Sequence, residues 1–171
     1  MKTVSIDTGV EEFQINGKGI LRFNPSDINV YNRFMESQEA IEQLEEEYVQ
    51  KTEGIAAQSD EKGFPQVGKL LAVTKELDSR VKERLSYVFG EQNDFDAIFE
   101  GVNLLAVTGN GERVITNFFQ AFTPIIEKGI SRYADARAKE AAEKAETARK
   151  ARKARSPRSA SSESHDGEIA K

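Results

Sequence analysis

Between Val114 and Tyr133 the chain places Val114, Ile115, Phe118, Phe119, Phe122, Ile125, Ile126, Ile130 and Tyr133 at three- and four-residue spacings. Apolar residues at that period lie on one face of an α-helix, and so bulky a face has to be buried. This segment is therefore expected to be the main element of the core, and every other element must offer it an apolar surface. Pro124 falls inside it, where the missing N–H and the ring predict a bend near Gln120 to Pro124 in a helix that can still continue.

Two further stripes can supply the partners. Ile28, Tyr31, Phe34 or Met35, Ile41, Leu44 and Tyr48 recur at helical spacing, with Glu36, Glu39, Glu42 and Glu45 to Glu47 mostly on the other side. Asn24-Pro25-Ser26-Asp27 precedes them as a helix-start signal, with Ser or Asn as the expected cap. Thr52 to Gly68 holds three glycines and Pro65 and reads as a loop. Val67, Leu70, Leu71, Thr74, Leu77, Val81, Leu85, Val88 and Phe89 form the second stripe, which stops at Gly90, a suitable C-terminal cap. Asp94 is placed to cap a short third helix carrying Phe95, Ile98, Phe99, Val102 and Leu105, which ends in Thr108-Gly109-Asn110-Gly111.

The opening of the chain has a different period. Phe13 and Ile15 alternate with polar neighbours, and Ile20-Leu21-Arg22-Phe23 follows Asn16-Gly17-Lys18-Gly19, which predicts a β-hairpin. Thr3 to Ile6 has the composition of a third strand beyond the Thr8-Gly9 turn. The fold class that results is mainly α with a small N-terminal β-hairpin: a bundle-like helical body over residues 1–134 and an extension over 135–171.

The extension is set apart by its charge. Residues 1–134 hold 14 basic and 22 acidic side chains, a balance of −8, and residues 135–171 hold 10 and 7, a balance of +3. From Asp135 alanine is almost the only apolar residue, so a helix is favoured by propensity but has nothing to bury; it should fade near Arg155, with a disordered Ser-rich end. Arg149, Lys150, Arg152, Lys153, Arg155 and Arg158 put six positive charges into ten residues without an acidic one. Such a run can contact the phosphates of nucleic acid or an acidic protein surface, or act as a solubilising extension. The lack of aromatic residues beside it argues against single-strand recognition by stacking.

Nothing in the sequence resembles a catalytic constellation. The single histidine, His165, lies in the Ser-rich end without a fixed partner. Asp94, Asp96 and Glu100 are explained by a cap and a solvated face, and Glu45-Glu46-Glu47 lacks the spacing of a calcium loop. Gly109-Asn110-Gly111 lacks the Lys-Ser/Thr of a phosphate-binding loop and reads as a turn between helices. With no cysteine there is no disulfide or thiolate metal site, and no apolar run is long enough for a membrane span or a signal peptide. The expectation is a non-enzymatic binding protein of the cytoplasm, without cofactor, metal or membrane partner. Phe118, Phe119 and Phe122 read as core; the alternative is that they form, with Ile125 and Ile126, a face for self-association or for a client.

The hairpin leading into LRFNPSDINVYNRFMES, Leu21 to Ser37, and the later FFQAFTPIIEKGI, Phe118 to Ile130, resemble the tail assembly chaperones of long-tailed bacteriophages, particularly those of phages and prophages of Gram-positive hosts. The likeness frames most of residues 1–134 and leaves the basic run outside. It implies a non-enzymatic homo-oligomer in the cytoplasm of the host bacterium that coats the tape measure protein, keeps it soluble, recruits tail tube subunits and is absent from the finished virion. Two readings of other classes stand beside it: a nucleic-acid-binding accessory protein acting through Arg149 to Arg158, and a phage-encoded inhibitor of a host protein.

Overall fold

A computed structural model describes residues 1–57 and 64–155. The fold is mainly helical with one small two-stranded antiparallel sheet near its start. Its elements are β1 (Glu11–Ile15), β2 (Gly19–Phe23), α1 (Ile28–Ala57), α2 (Phe64–Phe89), α3 (Phe95–Ile98) and α4 (Val114–Arg155). The chain divides into two units, Met1–Ala134 and Asp135–Lys171.

The hairpin closes through Asn16 and Gly17, both at positive φ (51° and 77°), with Lys18 N donating to Ile15 O at 3.0 Å. Two successive positive φ angles give the turn the twist that antiparallel strands need, and Asn-Gly adopts them at least cost. Phe13 pairs with Leu21 in the register, and Phe13, Leu21 and Phe23 turn toward the core. Thr3 to Ile6 forms no strand: residues 1–10 carry no regular structure and are exposed. Pairing between segments is not decided by local composition, and only residues 7–10 separate this segment from β1.

Asp27 caps α1, its carboxylate accepting from Asn29 N at 2.9 Å, while Asn24 uses its side chain on Ser26 N. The expected Ser or Asn cap is thus one turn-residue early. The buried face of α1 is Val30, Phe34, Ser37, Ile41 and Leu44, so Phe34 rather than Met35, and Val30 rather than Ile28, points inward. α1 and α2 run antiparallel, joined by Glu36–Tyr87, Glu47–Arg80 and Lys51–Glu76 contacts that step along both helices. Both helices extend into the segment read as a loop, and its remaining centre, residues 58–63, lies outside the described residues.

Gly90, at φ +96°, ends α2 as expected. Asp94 caps α3 by accepting from Asp96 N and Ala97 N. α3 is shorter than its apolar pattern predicts because Glu100 and Gly101 both take positive φ (53° and 74°), which no helix tolerates. Val102 consequently faces outward, while Leu104 and Leu105 reach the core. Thr108 to Gly111 is a tight turn, closed by Thr108 N to Glu112 O at 2.8 Å. The carbonyls of Ala106 and Leu104 then accept from Val114 N and Ile115 N, two donors of the first turn of α4 that have no partner within the helix. α4 continues through Pro124 without interruption. Gly129 meets the main chain of Pro25 so closely that a Cβ there would collide with the Pro25 carbonyl oxygen.

Candidate functional site

The phenylalanines settle what α4 can present. Nine phenylalanines form one connected network of ring contacts, including Phe118–Phe122 at 4.5 Å, Phe23–Phe89 at 4.9 Å and Phe34–Phe119 at 5.1 Å. Phe118, Phe122 and Ile126 are buried, and Phe119 and Ile125 are half-buried against the same core. Of the residues considered for self-association or client contact, Phe118, Phe122 and Ile126 are thus packed within one copy, and Phe119 and Ile125 keep part of their surface open. Separating such a network would expose several aromatic side chains, each worth about 1.5–3 kcal/mol of burial.

The more open apolar surface lies elsewhere. The stripe of α2 is buried from Leu77 to Phe89, but Val67, Leu70 and Leu71 on its first turns are 52%, 37% and 64% exposed. These residues have helical spacing as regular as that of Leu77 to Phe89. They differ in that the core formed with β1, β2, α3 and α4 covers only the other half of α2. Further along the helix pair Glu47 accepts from Lys51 Nζ at 2.7 Å and Arg80 Nη1 at 2.8 Å. The Lys51 hydrogen bond holds the Glu47 carboxyl below the usual range, opposed by burial and supported by Arg80.

A second opening is a cavity of about 360 Å³ between the hairpin turn, the end of α3 and the start of α4. Ile15, Ile98, Phe99, Val102, Phe118 and Phe122 line it. On its polar rim Lys18 Nζ pairs with Glu100 at 2.9 Å. Phe118 and Phe122 thus show a small part of their surface to this partly open cavity.

Of the basic run, Arg149, Lys150, Arg152 and Lys153 are exposed side chains on α4, and Lys150 pairs with Glu146 at 2.7 Å. At 100° per residue these four positions fall within about 160°, less than half of the helix circumference. Arg155 is the last residue of α4; Arg158 and His165 lie outside the described residues. No side chain from Asp135 to Lys153 is buried.

Among the described residues no group of three or more His, Cys, Asp or Glu is placed to hold a metal ion. No described helix is long and apolar enough to cross a membrane. The class that fold and surfaces define is a mainly helical α+β body with a dense aromatic core and uncovered apolar helix turns. Comparison with known proteins adds no relative: no family model, no curated protein and no solved structure matches the chain.

Proposed function

We propose that the protein is a non-enzymatic assembly chaperone of a long-tailed bacteriophage, which self-associates, coats the tape measure protein in the host cytoplasm and helps recruit tail tube subunits. The observation that carries it is the uncovered first turns of α2. Val67, Leu70 and Leu71 hold apolar side chains open beyond the part of α2 that the core covers. Such an apolar strip suits the reversible shielding of a helical client, because helix-in-groove contacts anchor through residues spaced as Val67, Leu70 and Leu71 are. The likeness in Leu21 to Ser37 and Phe118 to Ile130 supplies the identity of the client.

Co-expression with a long tape-measure-like protein tests this. The native chain should raise the soluble fraction of the client and co-purify with it, and Leu70→Asp with Leu71→Asp should lose both effects while keeping its helical content. A client whose solubility is unchanged by the native chain, with no complex recovered, would sink the proposal.

A second reading, a nucleic-acid accessory protein, is favoured by the exposed cations at Arg149, Lys150, Arg152 and Lys153. Removal of residues 149–171 should then abolish DNA or RNA binding that weakens steeply with salt. Equal binding by the shortened chain, or none by either, rejects it.

A further inference from the structure

β1 is hydrogen-bonded along one side only. Among the described residues its single strand partner is β2, in a register that sets Glu12 opposite Arg22 and Gln14 opposite Ile20. The main-chain groups of Arg22 are both taken by Asn93 on the far side of β2. In an antiparallel ladder, inward- and outward-bonding pairs alternate, so the N–H and C=O groups of Glu12 and Gln14 point away from β2 along an open edge. Open edges accept further strands.

The same chain carries a segment with the chemistry of a strand and no partner. In Thr3-Val4-Ser5-Ile6 polar and β-branched apolar residues alternate, and Val4 and Ile6 are 80% and 76% exposed. The following residues hold this segment by the end of β2: Asn24 Nδ2 donates to Thr8 O at 2.9 Å, and Gly9, at φ +66°, turns the chain with Asp7 Oδ1 accepting from Gly9 N.

We infer that Thr3–Ile6 of one copy adds to the open edge of β1 in a second copy as a parallel strand. The parallel register sets Lys2 beside Glu11, Val4 beside Phe13 and Ile6 beside Ile15, an opposite-charge pair followed by two apolar pairs. The antiparallel register through the same central pair sets Lys2 beside Ile15 and Ile6 beside Glu11, which keeps only the central pair. Ile15 lines the 360 Å³ cavity, so Ile6 arrives at its apolar mouth. The donor cannot be the same copy. Parallel neighbours need a crossover of about a dozen residues, and only residues 7–10 separate Ile6 from β1. The inference deepens the self-association in the proposed function. It is tested on the chain alone, so a failure here leaves the client assay to stand or fall separately.

The native chain lacks cysteine, which makes directed cross-linking clean. Ser5→Cys in a tagged copy and Gln14→Cys in an untagged copy, both outward positions of the parallel register, should form a disulfide heterodimer on mixing and mild oxidation. Adding Val4→Asp and Ile6→Asp to the Ser5→Cys chain should abolish the heterodimer without changing its thermal unfolding, since neither side chain belongs to the core. A tagged Ser5→Cys chain that cross-links to Glu12→Cys but not to Gln14→Cys would overturn the parallel register. Absence of any heterodimer, or a Ser5→Cys/Gln14→Cys double variant that closes only within one molecule, would overturn the exchange itself.

Discussion

Asn93 stands against Arg22 in the place of a strand: its Oδ1 accepts from Arg22 N at 2.9 Å and its Nδ2 donates to Arg22 O at 2.9 Å. The same amide reaches Phe89 O at 2.8 Å, so one side chain ties β2 to the C-terminal turn of α2. It does so at 4% exposure, where no water replaces a lost partner. Asn93→Ala should therefore destabilise the fold by about 2–3 kcal/mol, the cost of stranding buried main-chain groups. Urea unfolding of the two proteins measures it, and a difference below about 0.5 kcal/mol would mean that the region relaxes to find other partners.

Little in the sequence marks Asn93, which lies in a short link with its partner 71 positions away. Asp94 next to it was legible because a cap acts on residues two and three positions on. The same contrast runs through the helices. Leu77, Val81, Leu85 and Val88 follow from periodicity, and so do Val67, Leu70 and Leu71, yet only the first group is buried. A period records which side chains share a face, whereas burial depends on how far the other elements reach. The phenylalanines were readable as core for the opposite reason: so many large rings within a single chain have few ways to avoid one another. The open edge of β1 and the exposed Thr3–Ile6 segment belong to the illegible part, since strand pairing is non-local.

Lys82 bridges two carboxylates, with Nζ 2.6 Å from both Asp78 and Asp96. Burial lowers its pKa, but the hydrogen bonds from the lysine to Asp78 and Asp96 outweigh that and leave it raised. Asp78 Oδ1 also accepts from Leu104 N at 2.7 Å, so Asp78→Ala takes one of two carboxylates from a nearly buried ammonium group and strands a main-chain donor. A loss of about 3 kcal/mol in chemical unfolding is expected. Asp96→Ala, whose carboxylate is largely exposed, should cost less than about 1 kcal/mol. Equal losses would show that Asp78 is not the anchor of the α2 to Leu104 connection.

Ser37 offers a change in the other direction. Its hydroxyl is fully buried on the inner face of α1, and among the described residues Oγ has no hydrogen-bond partner. Ser37→Ala removes an unsatisfied polar atom and improves helix propensity, so it should stabilise the protein by about 1 kcal/mol and raise the melting temperature. A lower melting temperature would indicate that the oxygen contributes packing that outweighs its desolvation.

Glu45 contributes a pH dependence of its own, opposite in sign to that of Glu47. Burial against α4 raises its pKa, opposed by Arg113, whose Nε lies 3.8 Å away, and by a hydrogen bond from Thr116. The folded state thus binds the Glu45 proton more tightly than the unfolded chain does. Stability from this group is present below the ordinary carboxylate range and is lost as pH rises through that range to the raised folded value. Glu45→Gln removes this slope, and Arg113 keeps its contacts with Leu105 O at 2.6 Å and with the Tyr48 ring. The variant should match the native chain at acidic pH and be at least as stable at neutral pH, as read from melting temperatures across the interval. If Glu45→Gln is instead weaker at neutral pH and equal at acidic pH, attraction to Arg113 exceeds the burial cost and the raised pKa is wrong in sign.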